Sequence, residues 1–201
     1  MLLALALFTS GPAAAQPLKI LALGDSLTAG FGLPAGQGFA PQLERALKES
    51  GVEAQVIDAG VSGDTSAGGL ARIEWALADG PDLVILELGA NDMLRGVDPA
   101  ETRANLDAML AKLRAAGARV LLAGMRAAPN LGLDYSAAFE AIYGDLATKY
   151  EVPLYPFFLE GVATEPTLNL PDGLHPNAAG VREIVRRILP HVMAAAGVSR
   201  S

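Results

Sequence analysis

The chain has 201 residues, of which 51% are hydrophobic and 18% charged, and its net charge at pH 7 is −7. A chain of this length and apolar content can bury one sizeable core, so we expect a single domain. The acidic balance, without any run of Lys or Arg, argues against a nucleic-acid partner and against electrostatic anchoring to a membrane. The absence of cysteine excludes disulfides and cysteine-based metal or redox sites.

The first residues have the pattern of a secretory signal. An apolar run over residues 1–8 is followed by a Gly-Pro break and by Ala13-Ala14-Ala15-Gln16, the small-residue pattern that a signal peptidase cleaves. We therefore expect a signal peptide over residues 1–15 and a bacterial periplasmic or secreted protein. One feature departs from the pattern, because no Lys or Arg precedes the apolar run. The run is too short to span a bilayer comfortably, so no stable membrane insertion is expected after cleavage.

Strands and helices are predicted to alternate along a domain that covers residues 18–197. Apolar runs predict strands at residues 18–23, 55–58, 83–88, 119–123 and 153–155. Apolar residues at helical spacing predict helices at 41–49, 66–78, 99–116, 135–150 and 176–195. This alternation is typical of a three-layer α/β/α fold with a parallel sheet.

Some positions within these elements carry more specific expectations. The continuous apolar run from Leu83 to Leu88 predicts a central strand that is covered on both faces. Trp75 lies inside a helical pattern, so we expect it to pack in the core. Pro176 is expected to be the first residue of the last helix, where its missing N–H costs nothing. Residues 125–133 are expected to form an irregular loop.

Chemically distinctive residues fall at the predicted carboxyl ends of the strands. Ser26 follows the first strand, Gly63 the second and Asn91 the third, while Asp172 and His175 lie in the loop before the last helix. In a parallel α/β fold these loops line one crevice, and ligands bind there. Taken alone, each residue is equally well explained as a turn former or a helix cap. Their convergence on one edge of the sheet is what favours a functional site.

The residue types suit nucleophilic catalysis. His175 can take a proton from Ser26, and Asp172, three residues earlier, can accept the other ring N–H and stabilise the imidazolium. The amide of Asn91 and the backbone N–H of Gly63 can donate to a developing oxyanion. The other histidine, His191, lies in the last helix and is expected to be solvated there or to face its carboxyl end.

Four sequence blocks together resemble the SGNH (GDSL-type) serine hydrolases. They are Gly24-Asp25-Ser26-Leu27, Ser62-Gly63-Asp64-Thr65, Gly89-Ala90-Asn91-Asp92 and Asp172-Gly173-Leu174-His175-Pro176. The resemblance implies a flavodoxin-like five-stranded parallel sheet, with Ser26 as nucleophile, His175 as base and Asp172 as the residue that orients it. It also implies an oxyanion hole formed by the N–H groups of Ser26 and Gly63 and the side chain of Asn91.

Other chemistries fit the sequence less well. An α/β-hydrolase elbow needs Gly-x-Ser-x-Gly, and Thr28 occupies the place of the second glycine. Neither a dinucleotide-binding glycine motif nor a phosphate-binding loop is present. A single histidine in the candidate site makes a poor zinc set, so neither a metal nor a cofactor is expected. Asp25 and Asp64 suggest paired-carboxylate chemistry, but Asp64-Thr65 resembles a helix cap and Asp25 is expected to accept from loop N–H groups.

The expected substrates are small acyl compounds. Apolar residues near the crevice suggest an acyl-binding surface, with Met93, Leu94 and Leu131 as the candidate contacts. The resemblance points to the branch that hydrolyses carboxylic esters, aryl esters, acyl thioesters and lysophospholipids, and we expect a monomer. Two alternatives stay open at this stage: a carbohydrate O-acetylesterase of the same superfamily, and a binding domain of the same fold without catalytic turnover.

Overall fold

A five-stranded parallel sheet forms the centre of the protein in the computed structural model, which describes residues 16–199. The strands are β1 (Leu18–Gly24), β2 (Ala54–Gly60), β3 (Leu83–Glu87), β4 (Arg119–Ala123) and β5 (Leu154–Tyr155). They lie in the order β2-β1-β3-β4-β5, and every neighbouring pair is parallel. The predicted flavodoxin-like sheet is confirmed. Its strand order reverses between β1 and β3, where ligands bind in folds of this kind.

Seven helices connect and cover the strands in this part of the chain. They are α1 (Ser26–Ala29), α2 (Phe39–Glu49), α3 (Ser66–Ala76), α4 (Ala90–Leu94), α5 (Pro99–Ala115), α6 (Leu133–Tyr150) and α7 (Ala178–Ala196). Helices α2 and α7 pack on each other, and α5 packs between α3 and α6. The pair of α2 and α7 and the group of α3, α5 and α6 cover the sheet and complete the three layers.

The helices differ from the predictions at the start of the last helix and in two short helices, for local reasons. The last helix begins at Ala178, not at Pro176, because Asn177 is its N-cap and accepts the backbone N–H groups of Ala179 and Gly180. The short helices α1 and α4 were not predicted. Helices of one turn contain too few residues to show an apolar period.

The core confirms the central strand but not the position of Trp75. All five residues of β3 are buried. On α3 the buried side is formed by Gly69, Ile73 and Ala76, which recur at helical spacing. Trp75 points away from that side and is 78% exposed. The prediction that it packs in the core is wrong, because the residue lies two positions past Ile73, on a different face of the helix.

The predictions of export and of no membrane insertion concern the start of the chain and the helices. The predicted signal peptide, residues 1–15, lies outside the described residues. Between residues 16 and 199, no helix combines the length and the apolar content that a membrane span needs.

Candidate active site

Ser26 is the first residue of α1, immediately beyond the carboxyl end of β1. Asp25 caps this helix, because its Oδ1 accepts the backbone N–H of Leu27 at 2.9 Å. Gly30 ends the helix in the left-handed conformation with φ of 72°. The chain therefore turns sharply after the strand and presents the serine at a fixed position on the carboxyl edge of the sheet. The residue is only 8% exposed.

Gly24 allows the turn before Ser26 to pack closely on β3. A β-carbon at residue 24 would lie 2.4 Å from Oε2 of Glu87 and 2.7 Å from the Glu87 carbonyl oxygen. Both atoms belong to the neighbouring strand, so a side chain at this position would push the two strands apart. Glycine is required here by the close approach of the strands.

Ser26, His175 and Asp172 form a continuous hydrogen-bonded chain. Oγ of Ser26 lies 2.9 Å from Nε2 of His175, and Nδ1 of the same ring lies 2.8 Å from Oδ2 of Asp172. An ionised carboxylate can only accept, so Nδ1 carries the ring proton and Nε2 accepts from the serine hydroxyl. The other histidine, His191, lies exposed on α7 with its ring edge-on to Tyr155.

Asp172 is held as a carboxylate by its own loop. Its Oδ1 accepts the backbone N–H groups of Leu174 and His175 at 2.9 and 3.0 Å. The backbone N–H groups of His175 and then Leu174, followed by the imidazole, lower the pKa of Asp172 to about 2. The carboxylate is therefore charged throughout the pH range in which a histidine base operates.

The loop that carries the histidine is tied back on itself. The backbone N–H of Leu170 donates to the carbonyl oxygen of His175 at 2.7 Å, and Asn169 pairs with Pro176 as an isolated antiparallel bridge. Asn177 then begins the last helix. These bonds constrain the backbone from which the His175 side chain projects.

The aromatic ring of Phe31 packs against the imidazole of His175. Its ring centroid lies 4.5 Å from that of His175, and the side chain is 48% exposed. Met93 packs half-buried against the core, Leu94 is exposed at the end of α4, and Leu131 is half-buried in a short 3₁₀ turn. A role for these three residues in substrate binding stays a prediction.

Asn91 lies on α4, the short helix that follows β3, and Gly63 lies on the loop that follows β2. Nδ2 of Asn91 donates to Oδ2 of Asp25 and to the carbonyl oxygen of Asp64, both at 2.9 Å. Gly63 has a φ of 83°, and its carbonyl accepts Nη2 of Arg95 at 2.8 Å. Both amide hydrogens of Asn91 are thus engaged, and a substrate oxygen must take one of them from its present acceptor.

Two buried carboxyl groups, those of Asp25 and Glu87, lie close to Ser26. Glu87 ends β3, and its Oε2 accepts the hydroxyl of Thr28 at 2.7 Å and the backbone N–H of Asp25 at 3.3 Å. Burial raises the pKa of Asp25 to about 6 and raises that of Glu87 well above its usual range. Glu87 was not singled out from the sequence, although a glutamate that ends a buried strand is a signal that could have found it.

Asp64 does not form a carboxylate pair with Asp25. Its Oδ2 accepts Nε of Arg72 at 2.7 Å, and Nη2 of the same arginine donates to the carbonyl oxygen of Gly24. Thr65 is the N-cap of α3. As expected, Asp25 accepts a loop N–H and Asp64-Thr65 belongs to a helix start, which leaves no paired-carboxylate centre at these two residues.

Cavity volume does not locate the hydrogen-bonded triad of Ser26, His175 and Asp172. A cavity of about 440 Å³ is lined by residues of α5 and α6, among them Ala111 and Lys149. Another of about 360 Å³ opens at the amino ends of β4 and β5, where Leu110, Val120 and Tyr150 line it. Ser26 lies at the opposite, carboxyl edge of the sheet. The hydrogen-bonded triad, and not the volume of a cavity, therefore defines the candidate active site.

Comparison with known proteins identifies the family of this chain. Residues 22–183 match the GDSL-like Lipase/Acylhydrolase family. The chain belongs to this family. Membership confirms the predicted class of enzyme, an ester hydrolase, and the family match covers all four blocks of the candidate site.

Individual relatives are similar over almost the whole chain. Esterase TesA of Pseudomonas aeruginosa is 45% identical over 94% of this chain and 92% of its own. Thioesterase 1/protease 1/lysophospholipase L1 of Escherichia coli is 43% identical over 86% of this chain and 81% of its own. The crystal structure of AlinE4, an SGNH-hydrolase family esterase, is 48% identical, covers 91% of this chain and 98% of its own, and superposes with a TM-score of 0.77.

Proposed function

We propose that this ester hydrolase acts through an acyl-enzyme on Ser26 and takes carboxylic esters, aryl esters and acyl thioesters as substrates. The observation that carries the proposal is the unbroken chain of hydrogen bonds from Ser26 through His175 to Asp172. Each of the three side chains makes the contact that its role requires. A binding domain without turnover has no need for that arrangement.

In the first half of the reaction Ser26 becomes acylated. Nε2 of His175 takes the hydroxyl proton while Oγ attacks the carbonyl carbon of the substrate, and Asp172 stabilises the resulting imidazolium. The tetrahedral intermediate then collapses. Its bond to the leaving oxygen or sulfur breaks, and His175 gives its proton to that atom, so that an alcohol or a thiol departs.

In the second half water replaces the leaving group. His175 takes a proton from the water, the hydroxide adds to the acyl carbon, and collapse releases the carboxylic acid while His175 returns the proton to Oγ of Ser26. The same imidazole thus acts as base and then acid in both halves. The enzyme ends in the state in which it began.

The oxyanion of each tetrahedral intermediate is assigned to three donors. Ser26 is the first residue of α1, where backbone N–H groups have no acceptor within the helix. The N–H of Gly63 and the amide of Asn91 complete the set. Of the two bonds that the Asn91 amide donates, we expect the one to the neutral carbonyl of Asp64 to be replaced by a bond to the substrate oxygen. The other bond, to the Asp25 carboxylate, is the stronger of the two when that group is charged.

Acyl chains of short to medium length are the proposed substrate class. The exposed ring of Phe31 beside His175 offers apolar contact at the reacting carbon. The names of the relatives, which include an esterase and a thioesterase/lysophospholipase, support esters, thioesters and lysophospholipids together. Ranking p-nitrophenyl esters, acyl thioesters and acetylated sugars by kcat/KM tests this class against the O-acetylesterase alternative.

A pre-steady-state burst with p-nitrophenyl butyrate tests the acyl-enzyme. We expect one equivalent of p-nitrophenol per enzyme before steady turnover whenever deacylation is the slower step, and an acylated Ser26 peptide in the mass spectrum. Ser26→Ala should lower kcat by about a millionfold, as loss of a serine nucleophile does in subtilisin. Ser136→Ala, which removes an exposed hydroxyl on α6, is the control and should turn over normally. Unchanged turnover by Ser26→Ala would exclude the proposal.

We also propose export with loss of residues 1–15, followed by action as a monomeric domain over residues 18–197. This proposal rests on the apolar run and the small residues before Gln16. Mass spectrometry of the protein recovered from the periplasm should give an amino terminus near Gln16. Recovery of the intact chain from the membrane fraction would contradict it.

A further inference from the structure

A buried polar contact links the two loops that carry the proposed oxyanion donors. Oδ2 of Asp92 accepts the backbone N–H of Ser66 at 2.8 Å, and Oδ1 accepts the Ser66 hydroxyl at 2.5 Å. Ser66 is fully buried and Asp92 is 1% exposed. The hydroxyl of Ser66 also accepts Nδ2 of Asn105 at 3.0 Å, which fixes its orientation. We call the two bonds between Ser66 and Asp92 the Ser66–Asp92 link.

The position of this link in the chain is what gives it a functional meaning. Ser66 lies three residues after Gly63 and is the first residue of α3, and Asp92 directly follows Asn91 on α4. The link therefore joins α3, which begins three residues after Gly63, to α4 at the residue next to Asn91. Two further bonds connect the same segments, from Nδ2 of Asn91 to the carbonyl oxygen of Asp64 and from Nη2 of Arg95 to that of Gly63. The first of these is the bond that we expect the substrate to displace, so the link is a contact between the segments that remains when the substrate is bound.

The chemistry of the link is costly if its purpose is stability alone. A buried carboxylate loses its hydration, and the donors that replace the water here are neutral groups of Ser66 and Thr102. Apolar side chains of similar size often stabilise a protein as well as a buried polar group does. Directional bonds supply something that apolar contacts lack, which is a defined distance and angle between the two loops.

We propose that Ser66 and Asp92 are positioning residues of the oxyanion hole. The inference rests on the proposed function, since it assigns to Gly63 and Asn91 the donor roles given above. The Ser66–Asp92 link holds the backbone N–H of Gly63 and the amide of Asn91 at the separation that one oxyanion requires. Neither positioning residue touches the substrate. Because the donors act on the transition state, their misplacement lowers kcat more than it raises KM.

The test compares two variants that each remove a hydroxyl from the same carboxylate oxygen. Ser66→Ala removes the hydroxyl of the first residue of α3, which lies three residues after Gly63 and donates to Oδ1 of Asp92. Thr102→Val removes the hydroxyl of α5, which donates to Oδ1 of Asp92 at 3.3 Å but connects neither donor loop to the other. Thermal unfolding gives the stability of each variant. Steady-state kinetics with p-nitrophenyl butyrate gives kcat and KM, and the dissociation constant of butylboronic acid measures affinity for a tetrahedral adduct on Ser26.

In Ser66→Ala we expect kcat to fall about ten- to a hundredfold, the range expected of a donor displaced by a fraction of an ångström to one ångström. KM should change less than about threefold. The dissociation constant of butylboronic acid should rise in proportion to the loss of kcat, because both report the same tetrahedral geometry. Thr102→Val should keep kcat within about threefold of the wild type, whatever its effect on unfolding.

Two results would overturn the inference. One is a Ser66→Ala enzyme with normal kcat and normal affinity for butylboronic acid. The other is an equal loss of kcat in both variants, which would make the contact one of general stability. If Ser66→Ala does not fold, Asp92→Asn replaces it, because the amide oxygen of the new side chain still accepts the Ser66 N–H. In that variant we expect a smaller loss of kcat, with the dissociation constant of butylboronic acid again rising in proportion. A wild-type enzyme without hydrolysis or adduct formation would instead refute the proposed function.

Discussion

Replacing Asp172 by asparagine tests how Ser26 loses its proton. Oδ1 of Asp172 accepts two backbone N–H groups, and only Oδ2 faces Nδ1 of His175. In Asp172→Asn the amide oxygen must take the place of Oδ1, because an NH₂ group cannot accept. The NH₂ then faces Nδ1, and the ring proton is forced onto Nε2, which points at Ser26. A nitrogen that already carries a proton cannot take another from the hydroxyl.

The size of the effect follows from this tautomer. The corresponding exchange in a Ser-His-Asp protease lowers kcat about 10⁴-fold, which is about 5 kcal/mol of activation free energy. We expect a loss of that order in kcat for p-nitrophenyl butyrate at pH 8. In the wild type the low pKa of Asp172, about 2, keeps the carboxylate charged throughout such assays. Its contribution to folding stability is present above the ordinary pKa of 3.8 and is lost as the pH falls through about 2.

A matched control separates the tautomer from the chemical change. Asp98 is the N-cap of α5, and its Oδ1 accepts the backbone N–H of Ala100 at 2.8 Å. Asparagine caps a helix as well as aspartate does, so Asp98→Asn should hydrolyse the ester at the wild-type rate. If Asp172→Asn keeps its kcat within tenfold of the wild type, the tautomer argument and the role of Asp172 are both wrong.

Substitutions at three further residues probe the surroundings of the triad and the exposed face of α3. Burial raises the pKa of Asp25 to about 6, so the folded chain holds the proton of this carboxyl group more tightly than the unfolded chain does. The contribution of this proton to folding stability is therefore present below about pH 4 and is lost as the pH rises through 6. The difference in Tm between Asp25→Asn and the wild type should therefore favour the variant more at pH 8 than at pH 4. The value of kcat should fall, because the new NH₂ group faces the amide of Asn91 and cannot accept its hydrogen. Equal differences in Tm at both pH values would contradict this. Burial raises the pKa of Glu87 well above its usual range, so Glu87→Gln should keep the fold and most of the activity at pH 7. Glu87→Ala leaves the Thr28 hydroxyl without its acceptor and should lower the free energy of unfolding by about 1–3 kcal/mol in chemical denaturation. Trp75→Ala should change the free energy of unfolding by less than about 0.5 kcal/mol, and the loss of about 3–5 kcal/mol that is typical of a core tryptophan would contradict its exposure.

The carboxyl groups around Ser26 differ in pKa, and the difference follows from the balance between burial and hydrogen bonding. Asp172 is surrounded by N–H donors and lies near the surface, which keeps it ionised. Glu87 is fully buried, and its Oε1 makes no hydrogen bond within the described residues. Desolvation therefore dominates there and favours the neutral form. Asp25 lies between these cases, with burial opposed by the donors Leu27 and Asn91.

Long elements with a strong apolar pattern were predictable from the sequence, and short or weakly patterned ones were not. The β3 run is buried on both faces, so its composition alone indicated its central position. The helices α1 and α4 have four and five residues, too few for a period to emerge. The error at Trp75 has a related cause, because α3 is rich in alanine and glycine and its buried face is defined by small residues.

The sequence by itself determined which chemical groups follow which strands: a serine after β1, a glycine after β2, an asparagine after β3 and a histidine before α7. The parallel sheet brings such loops to one edge, so the site could be placed before any distance was known. Only the tertiary structure decided the contacts between them. Ser26 and His175 are separated by 149 residues yet lie 2.9 Å apart, and nothing in the local sequence encodes that distance. The partners of Asn91, the raised pKa of Glu87 and the Ser66–Asp92 link likewise depend on burial and on directions that arise only when distant strands pack side by side.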